Sequence, residues 1–317
     1  MTLILTLASI HYILQVGDRL VTLHPGGKTF DPMSNKNVVY LAKDAIVSIG
    51  YSGPAYLDDV PTDQWIAQKL RGEDFAGDRW AMHMGRASRW FDIGQSVELL
   101  RQQCEGAFAR LPDPVSLELV IAGWQWRRRH ARPIVWEITN TASDPRVFEK
   151  TAPNRHWYLE KPNRFAIYST PNNNPLSDYD FQAVGERLKS AYSAEQSLSL
   201  LVDTIRLAAR KMPIVGPHCM SILLPPPGFR KVLVRYLPAT AQEATISTAQ
   251  KEVTVPAAFC PGIVGPQIAV RPSILVGAWQ VQLGPFEVTL EAPETGPDTS
   301  IKAIFSSQRR PPGPPQR

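Results

Sequence analysis

The segment TLILTLASIHYILQVGDRLVT, residues 2–22, lies at the start of the chain and is the most informative about its fold. Its segments 2–8 and 12–16 are rich in aliphatic and β-branched side chains, which favour strands. A threonine opens the first segment, and Asp18 follows the second, sixteen positions after Thr2. We therefore predict a first β-hairpin that begins almost at the first residue and ends beside a carboxylate.

A second hairpin is predicted directly after the first. The segment HPGGKTFDP (24–32) has the glycine and proline content of a turn. NVVYLA (37–42) and AIVSIGYS (45–52) then predict two strands joined by a short connection. Two successive hairpins at the start of the chain exclude a parallel β-α-β beginning.

The rest of the body alternates between helical and strand patterns. Apolar residues at three- and four-residue steps predict four helices, the first with Thr62 as its N-cap: 61–71, 94–111, 178–190 and 194–212. Further strands are predicted at 116–126, 132–139, 164–169, 218–224 and 230–237. The order of strands, two helices, strands, two helices and strands favours an α+β fold of stacked antiparallel sheets flanked by helices.

The composition changes near residue 238, where proline and glycine become frequent and helical patterns end. Residues 274–292 predict a small β-hairpin unit, and RRPPGPPQR (309–317) predicts an extended or disordered tail. We therefore predict two parts, a domain over 1–237 and a β-rich extension over 238–317.

Bulk composition narrows the class of protein. The chain has 317 residues, 44% hydrophobic and 20% charged, as in an ordinary globular protein. The net charge of +5 is scattered, so we do not expect nucleic acid as a partner. No apolar run could span a bilayer and no basic leader opens the chain, so we expect no membrane partner.

Cysteine usage points to a reducing compartment. Cys104, Cys219 and Cys260 are odd in number and far apart, which does not suit a disulfide framework. His218 and Cys219 lack the spacing of a zinc site with Cys260. We therefore expect a cytoplasmic protein with neither a metal nor a cofactor.

The first fifty residues resemble the proteasome-type branch of the N-terminal-nucleophile hydrolases, which includes proteasome β-subunits and the bacterial HslV-type protease. Chains of that family begin with threonine when mature and reach an aspartate at the spacing seen in VGDRLVT (16–22). NKNVVYLAKDAIVSIGYSG (35–53) resembles the family's lysine-bearing hairpin and the glycine turn after it. LVIAGWQ (119–125) and RFAIYST (164–170) are similar to later family segments, so the resemblance covers residues 2–237.

The resemblance implies a fold, an activity and a set of partners. The fold would be a four-layer αββα sandwich, and the activity hydrolysis of amide bonds, with a peptide or protein as substrate. The family works in rings, so the resemblance implies a homo-oligomer, with an ATPase as a further partner.

The resemblance also implies a role for each of five residues. Thr2 would be the nucleophile once Met1 is removed, and its own α-amino group, with an ordinary pKa of about 7.7–8.0, would be the base. Asp18 would orient a lysine, Lys36, whose charge stabilises the threonine alkoxide. The Gly53 N–H would form the oxyanion hole, and Ser169 would match the family's serine near the terminus.

Two features leave alternatives open. The length of the turn before the second hairpin allows either Lys36 or Asn37 at the lysine position. Met212 and Val215 stand where the family has an aspartate and a serine that support the terminal amine. The sequence thus predicts a threonine-type hydrolase, with a catalytically degenerate proteasome-like scaffold or interaction protein as the alternative.

Overall fold

The structure is a computed structural model that describes most of the chain. The described residues are 2–22, 29–31, 34–73, 82–84, 86–111, 115–127, 130–140, 143–152, 157–159, 165–170, 176–191, 193–226, 231–240, 243–247, 252–270, 273–276, 279–283 and 286–291. The predicted tail at 309–317 lies outside them.

Strands dominate the described residues, and four helices accompany them. The helices are α1 (Thr62–Arg71), α2 (Ile93–Phe108), α3 (Asp178–Lys189) and α4 (Ala194–Lys211). The strands are β1 (Ile4–Ser9), β2 (Ile13–Asp18), β3 (Val21–Thr22), β4 (Thr29–Asp31), β5 (Asn37–Leu41), β6 (Ala45–Ser52), β7 (Tyr56–Leu57), β8 (Val60–Pro61), β9 (Met82–Met84), β10 (Glu118–Arg127), β11 (His130–Asn140), β12 (Phe148–Thr151), β13 (Trp157–Leu159), β14 (Phe165–Thr170), β15 (Cys219–Leu224), β16 (Lys231–Leu237), β17 (Glu243–Ser247), β18 (Glu252–Cys260), β19 (Gly262–Val264), β20 (Ile268–Val270), β21 (Ser273–Val276), β22 (Trp279–Leu283) and β23 (Phe286–Glu291).

The two hairpins predicted at the start of the chain are confirmed. Strands β1 and β2 pair antiparallel with Leu5 opposite Val16. Strands β5 and β6 do the same with Val38 opposite Ile49. Every residue of β1, β2, β5 and β6 except Ala8 is buried, because strands covered on both faces need apolar or internally bonded side chains throughout.

Helix termini follow local capping chemistry, with one correction to the sequence prediction. The Asp92 side chain accepts from Gln95 N at the start of α2, and Ser177 and Ser193 do the same at the starts of α3 and α4. At α1 the predicted N-cap, Thr62, is wrong: the cap is Pro61 and Thr62 is the first helical residue. The Thr62 hydroxyl instead donates to the Pro54 carbonyl at 2.7 Å, which ties the helix to the preceding loop.

Two eight-stranded sheets organise the molecule. Sheet I has the order β13-β14-β1-β2-β15-β16-β23-β22, and sheet II has the order β12-β11-β10-β6-β5-β19-β20-β9. The pairs formed within residues 1–237 are antiparallel in the described strands. The fold of the described residues is therefore a mixed one in which four helices pack beside two large sheets.

Three apolar cores hold these elements together. One core joins α1 and α2 to sheet II through side chains such as Trp65 and Leu100. A second joins α3 and α4 to sheet I through residues such as Phe181 and Ile205. The third contains residues of both sheets, including Ile222 from β15. Each fully buried aliphatic side chain contributes about 1.5–3 kcal/mol, so the cores supply the main stabilisation.

Strands that follow residue 237 add to both sheets. Strand β19 pairs parallel with β5, with Gly262 opposite Val38, and β23 pairs parallel with β16. The predicted hairpin near the end of the chain is present as the antiparallel pair β22–β23. The buried Arg71 side chain at the end of α1 donates to the Gly265 carbonyl at 2.7 Å. The extension thus shares backbone pairing with the rest of the chain.

Among the described helices, none is both long enough and apolar enough to cross a membrane.

Candidate active site around Thr2

The first hairpin places Thr2 beside Asp18. Ile4 lies opposite Gly17 in the β1–β2 pair, so the residues before β1 run along the end of β2. Leu3 N donates to Asp18 Oδ1 at 2.6 Å, and Asp18 N donates to the Leu3 carbonyl at 3.0 Å. The sixteen-residue spacing seen in the sequence is therefore the length of one hairpin that returns the aspartate to the start of the chain.

The second hairpin brings Lys36 to the same point. Lys36 Nζ donates to Thr2 Oγ1 and, at 2.9 Å, to the Leu20 carbonyl. The neighbouring Asn37 side chain points elsewhere, and its Nδ2 donates to Gln15 Oε1 at 2.6 Å. Of the two residues that the sequence allowed at the lysine position, Lys36 is the one in contact with Thr2.

The site is enclosed by protein. Thr2 is 2% exposed in the chain that carries Met1, Asp18 is fully buried and Lys36 is 4% exposed. The Ser52 hydroxyl, at the end of β6, donates to the Thr2 carbonyl at 3.2 Å. The second hairpin therefore contacts Thr2 through both its main chain and its side chain, while the first hairpin holds the adjacent Leu3.

The Asp18 carboxylate is held mainly by backbone donors. In addition to Leu3 N, it accepts from Leu20 N at 3.0 Å and from Gly216 N at 3.0 Å. Burial raises the pKa of Asp18, while Lys36 and these three N–H groups oppose that rise. A Cβ atom at Gly216 would lie 2.7 Å from the Leu20 Cβ atom, so only glycine allows this approach.

The Lys36 amine has the complementary environment. Burial lowers the pKa of Lys36, and the Asp18 carboxylate is the largest influence that opposes the shift. An amine in this position can donate to an alkoxide on Thr2 when it is charged. When it is neutral it can accept the hydroxyl proton, so both protonation states serve nucleophilic chemistry.

Gly53 has the backbone conformation expected of a specialised turn. It follows β6 directly, is exposed, and has φ 139°, which side-chain-bearing residues rarely adopt. A Cβ atom there would lie 2.5 Å from the Ser116 carbonyl oxygen. The turn after β6 is therefore built for glycine, two positions after the buried Tyr51.

Ser169 and the turn after α4 also approach the start of the chain. Ser169 is buried on β14 and lies opposite Leu5 in the pair with β1. Met212 N bonds back to Ala208 at the end of α4, and Val215 is buried. It is the next residue, Gly216, whose N–H reaches the Asp18 carboxylate.

Two further charged residues, Asp63 and Arg19, are buried near Lys36. Burial raises the pKa of Asp63, in the first turn of α1, to about 7, against the influence of Arg19 and Lys36. Burial lowers the pKa of Arg19 to about 10. The Arg19 guanidinium lies 4.9 Å from the centre of the Tyr236 ring, a cation–π arrangement.

Sequence reasoning missed several contacts of this site. The Leu20 carbonyl and the Gly216 N–H are backbone groups, which no residue pattern reveals. Ser52 lies in a segment predicted as a strand, with nothing to mark its hydroxyl. Asp63 has the form of an ordinary first-turn acid, and its burial comes from tertiary packing.

A metal ion needs a set of ligand side chains held close together. In the described part of the chain, no group of three or more His, Cys, Asp or Glu side chains is arranged to hold a metal ion.

Comparison with known proteins gives similarity at the level of structure. No protein-family model matches the chain, and no curated protein matches it. Among solved structures it is similar to Anbu (ancestral beta-subunit) from Yersinia bercovieri, with TM-score 0.42 and 11% identity over 70% of this chain and 81% of that chain. It is also similar to an Anbu (Gly-1) mutant from Hyphomicrobium sp. strain MC1, with TM-score 0.44 and 9% identity over 71% and 82% of the two chains. Function at this level of similarity rests on the site residues themselves.

Proposed function

We propose that this protein is a threonine-type N-terminal-nucleophile hydrolase that cleaves amide bonds, with a peptide as substrate and Thr2 as the nucleophile. The observation that carries the proposal is the contact of Lys36 Nζ with Thr2 Oγ1, beside a buried Asp18. A buried ammonium, a buried carboxylate and a hydroxyl are costly to bring together, and they are often found where their chemistry is used.

We propose the four-layer αββα sandwich as the fold behind this site. The three cores support it, because one joins α1 and α2 to sheet II, one joins α3 and α4 to sheet I, and one contains residues of both sheets. In that arrangement the first and second hairpins belong to different sheets, and Thr2 lies where their ends meet.

The proposed reaction begins when the bond before Thr2 has been cut and its amine is free. The amine takes the proton of the Thr2 hydroxyl as Oγ1 attacks the substrate carbonyl carbon. The negative oxygen that forms is stabilised by the Gly53 N–H, and the amine then gives its proton to the leaving nitrogen. Water adds to the resulting ester by the same steps, which releases the acid and restores Thr2.

Lys36 and Asp18 act on the charge of the nucleophile. The Lys36 ammonium stabilises the alkoxide on Thr2 and favours the neutral form of the terminal amine. Asp18 holds Lys36 electrostatically, and its own position is fixed by the N–H groups of Leu3, Leu20 and Gly216. Ser169 supports the terminus from β14 in this proposal.

Assembly and partners are proposed from the same family resemblance. We propose a homo-oligomer, in a ring, that works in the cytoplasm without a metal or cofactor. An ATPase partner would supply unfolded substrate if the substrate is a folded protein.

Turnover of fluorogenic peptide amides by three forms of the protein tests the proposal. Thr2→Ala should lose at least about 10³-fold in kcat/KM, because the attacking oxygen is gone. Thr2→Ser should keep measurable activity because it retains both the hydroxyl and the amine. Equal turnover by wild type and Thr2→Ala would remove Thr2 from the mechanism.

One observation favours a second candidate, a proteasome-like scaffold without catalysis. The turn that approaches Asp18 presents apolar Met212 and Val215, where a hydrolase of this type would use polar support for its amine. Intact mass that shows Met1 retained in the purified protein, together with no Thr2-dependent turnover, would select the scaffold.

A further inference from the structure

Two aromatic side chains are exposed together on the surface. Phe30 is 54% exposed and Tyr56 is 50% exposed. Their ring centroids lie 6.4 Å apart at an interplanar angle of 79°, an edge-to-face contact. Single exposed apolar side chains are ordinary, but two large rings that contact each other and remain half open to water form an accessible apolar surface.

Both rings lie on segments that lead out of the Thr2 site. Phe30 is on β4, which pairs with β3, and β3 begins directly after Leu20, the acceptor of Lys36. Tyr56 is three residues after Gly53 and four after Ser52, the donor to the Thr2 carbonyl. At about 3.3 Å per fully extended residue, three residues span at most about 10 Å, so Tyr56 follows Gly53 within the length of two to three residues of a bound peptide.

The segment that carries Tyr56 is firmly anchored. Asp58 and Asp59 have φ values of 50° and 61°, the left-handed pair that closes a tight hairpin between β7 and β8. The Asp58 carboxylate accepts from Trp65 Nε1 at 3.0 Å and from the Arg110 guanidinium at 2.6 Å. The Tyr56 ring is thus held on the surface by a fixed hairpin.

The negative charge of Asp58, which anchors the hairpin that carries Tyr56, is already paired with positive charges. Asp58 pairs with Arg110 and lies 3.8 Å from Lys69 Nζ. The rings themselves offer an aromatic face and edges, which favour aliphatic and aromatic groups over carboxylates. The occupant that fits is an apolar side chain. The β3–β4 pairing relates Phe30 to Leu20, which contacts Lys36, and a short segment relates Tyr56 to Ser52, which contacts Thr2.

We propose that Phe30 and Tyr56 form a specificity site that takes an apolar, preferably aromatic, side chain of the peptide whose amide bond lies at Thr2. This inference rests on the proposed function, because it assigns part of the substrate to a surface beside the nucleophile. It predicts a preference among peptides that the Thr2, Asp18 and Lys36 contacts do not by themselves supply.

The test uses the full chain and tripeptide coumarin amides in which Phe, Leu, Ala or Asp is placed at each position in turn. Wild type should prefer Phe over Asp at one position by about 10- to 100-fold in kcat/KM, the range that one apolar contact provides. The double variant Phe30→Ala with Tyr56→Ala should lose that preference, with kcat/KM for the Phe peptide falling to the level of the Asp peptide. Tyr56→Phe should keep the preference. Ile10→Ala, an exposed apolar change in the turn after β1, is the matched control.

A binding measurement separates this inference from the proposed function. Fluorescence anisotropy of labelled Phe and Asp tripeptides is measured on Thr2→Ala, with and without the two ring substitutions. Ring-dependent binding of the Phe peptide without any turnover by wild type would contradict the hydrolase and support the specificity site. Thr2-dependent turnover with a preference that survives the double variant would overturn the specificity site alone. Self-association that the double variant abolishes, with no peptide preference, would also overturn it, in favour of a contact between copies.

Discussion

At the scale of single residues, Lys36 and Asp18 are two buried charges that need each other. Removing an ion from water costs several kcal/mol, which the attraction of an opposite charge and hydrogen bonds offset. Asp18 has three backbone donors, and Lys36 has the Leu20 carbonyl and Thr2 Oγ1 as acceptors. The pair is therefore tolerable only as a unit, and each single substitution leaves an uncompensated charge.

A double-mutant cycle should show that Lys36 and Asp18 stabilise each other. Lys36→Met should lower the free energy of unfolding by about 3 kcal/mol at pH 7, since the Asp18 carboxylate is left buried alone. Asp18→Asn alone should also destabilise, and the double variant should be more stable than Lys36→Met. Urea unfolding of the four proteins measures the coupling. Strictly additive changes would show that the two charges do not interact.

Catalytic activity should not recover in the double variant of that cycle. The double variant restores a buried site without charge, but no ammonium remains to stabilise an alkoxide on Thr2. We expect turnover of a fluorogenic peptide amide to stay at least about 10²-fold below wild type in both Lys36→Met and the double variant. Recovery of turnover together with stability would assign Lys36 a purely structural role.

Thr2, Asp18 and Lys36 can be singled out in the sequence, but most of the contacts between them and their neighbours cannot. The spacing from Thr2 to Asp18 follows from hairpin geometry, which strand patterns reveal. The position of Lys36 needed the structure, because the length of the turn before β5 decides whether Lys36 or Asn37 faces Thr2. The Gly216 N–H could not be foreseen, since it comes from a turn 198 residues away in the chain from Asp18.

At the scale of elements, the first turn of α1 holds an acid with an unusual pKa. The Asp63 carboxylate accepts from Gln64 N at 2.9 Å, yet burial raises its pKa from 3.8 to about 7. Below about pH 4 the group is neutral in both the folded and the unfolded chain and costs nothing. As the pH rises from about 4 to about 7, only the unfolded chain ionises freely, so this group makes the fold less stable.

Asp63→Asn should therefore change how stability depends on pH. The variant should gain stability relative to wild type between about pH 4 and pH 8, by at most about 4 kcal/mol, at 1.36 kcal/mol for each pKa unit. Thermal or urea unfolding at pH 4.5 and pH 8 measures the difference between the proteins. A constant difference across that range would contradict the raised pKa of Asp63.

Elements were predicted with different success for physical reasons. Strand β6 occupies residues 45–52 as predicted, because a mostly apolar run bounded by Lys43-Asp44 and Gly53-Pro54 leaves few alternatives. The N-cap of α1 was wrong because the Thr62 hydroxyl bonds to the Pro54 carbonyl, a partner in a preceding loop that local capping rules do not consider. Helix periodicity depends on local sequence, whereas such loop contacts depend on tertiary structure.

At the scale of the whole molecule, the extension adds strands to both sheets: β19 pairs with β5 of sheet II, and β23 pairs with β16 of sheet I. Without β19 and β23, strands β5 and β16 would become edge strands, each with a row of unpaired backbone groups. Strand β5 also begins directly after Lys36, so the β19 pairing holds the strand that carries this residue into position. We propose that the part after residue 237 is required for a stable site, although its composition differs from that of the rest.

Truncation tests this role of the extension. A chain ending at residue 237 should unfold at clearly lower urea concentration than the full chain, or aggregate through its exposed β5 and β16 edges. A chain ending at residue 291 keeps β19 and β23 and should match the full chain, which makes it the control. Equal stability of the 237-residue and full chains would show that the extension is an independent part.

The pairing of the extension was beyond the reach of sequence patterns. Residues 274–292 predicted a hairpin, and β22 with β23 forms one. Nothing in that segment indicated that β23 would pair parallel with β16, because pairing partners across long separations are set by tertiary packing. The composition change at 238 marked a difference in local structure, while the backbone pairing continues across it.

The proposed mechanism requires that Thr2 present both a hydroxyl and a free amine, and a peptide epoxyketone tests both groups at once. The Thr2 oxygen adds to the ketone carbon and the amine opens the epoxide, so the whole inhibitor is retained in a ring that only an N-terminal threonine or serine can form. We predict that wild type lacks Met1 and carries one inhibitor on Thr2, and that Thr2→Ala carries no adduct. Intact-mass and fragment mass spectrometry measure both. A chain that retains Met1, or an inhibitor bound at another residue, would contradict the assignment of Thr2 as the nucleophile.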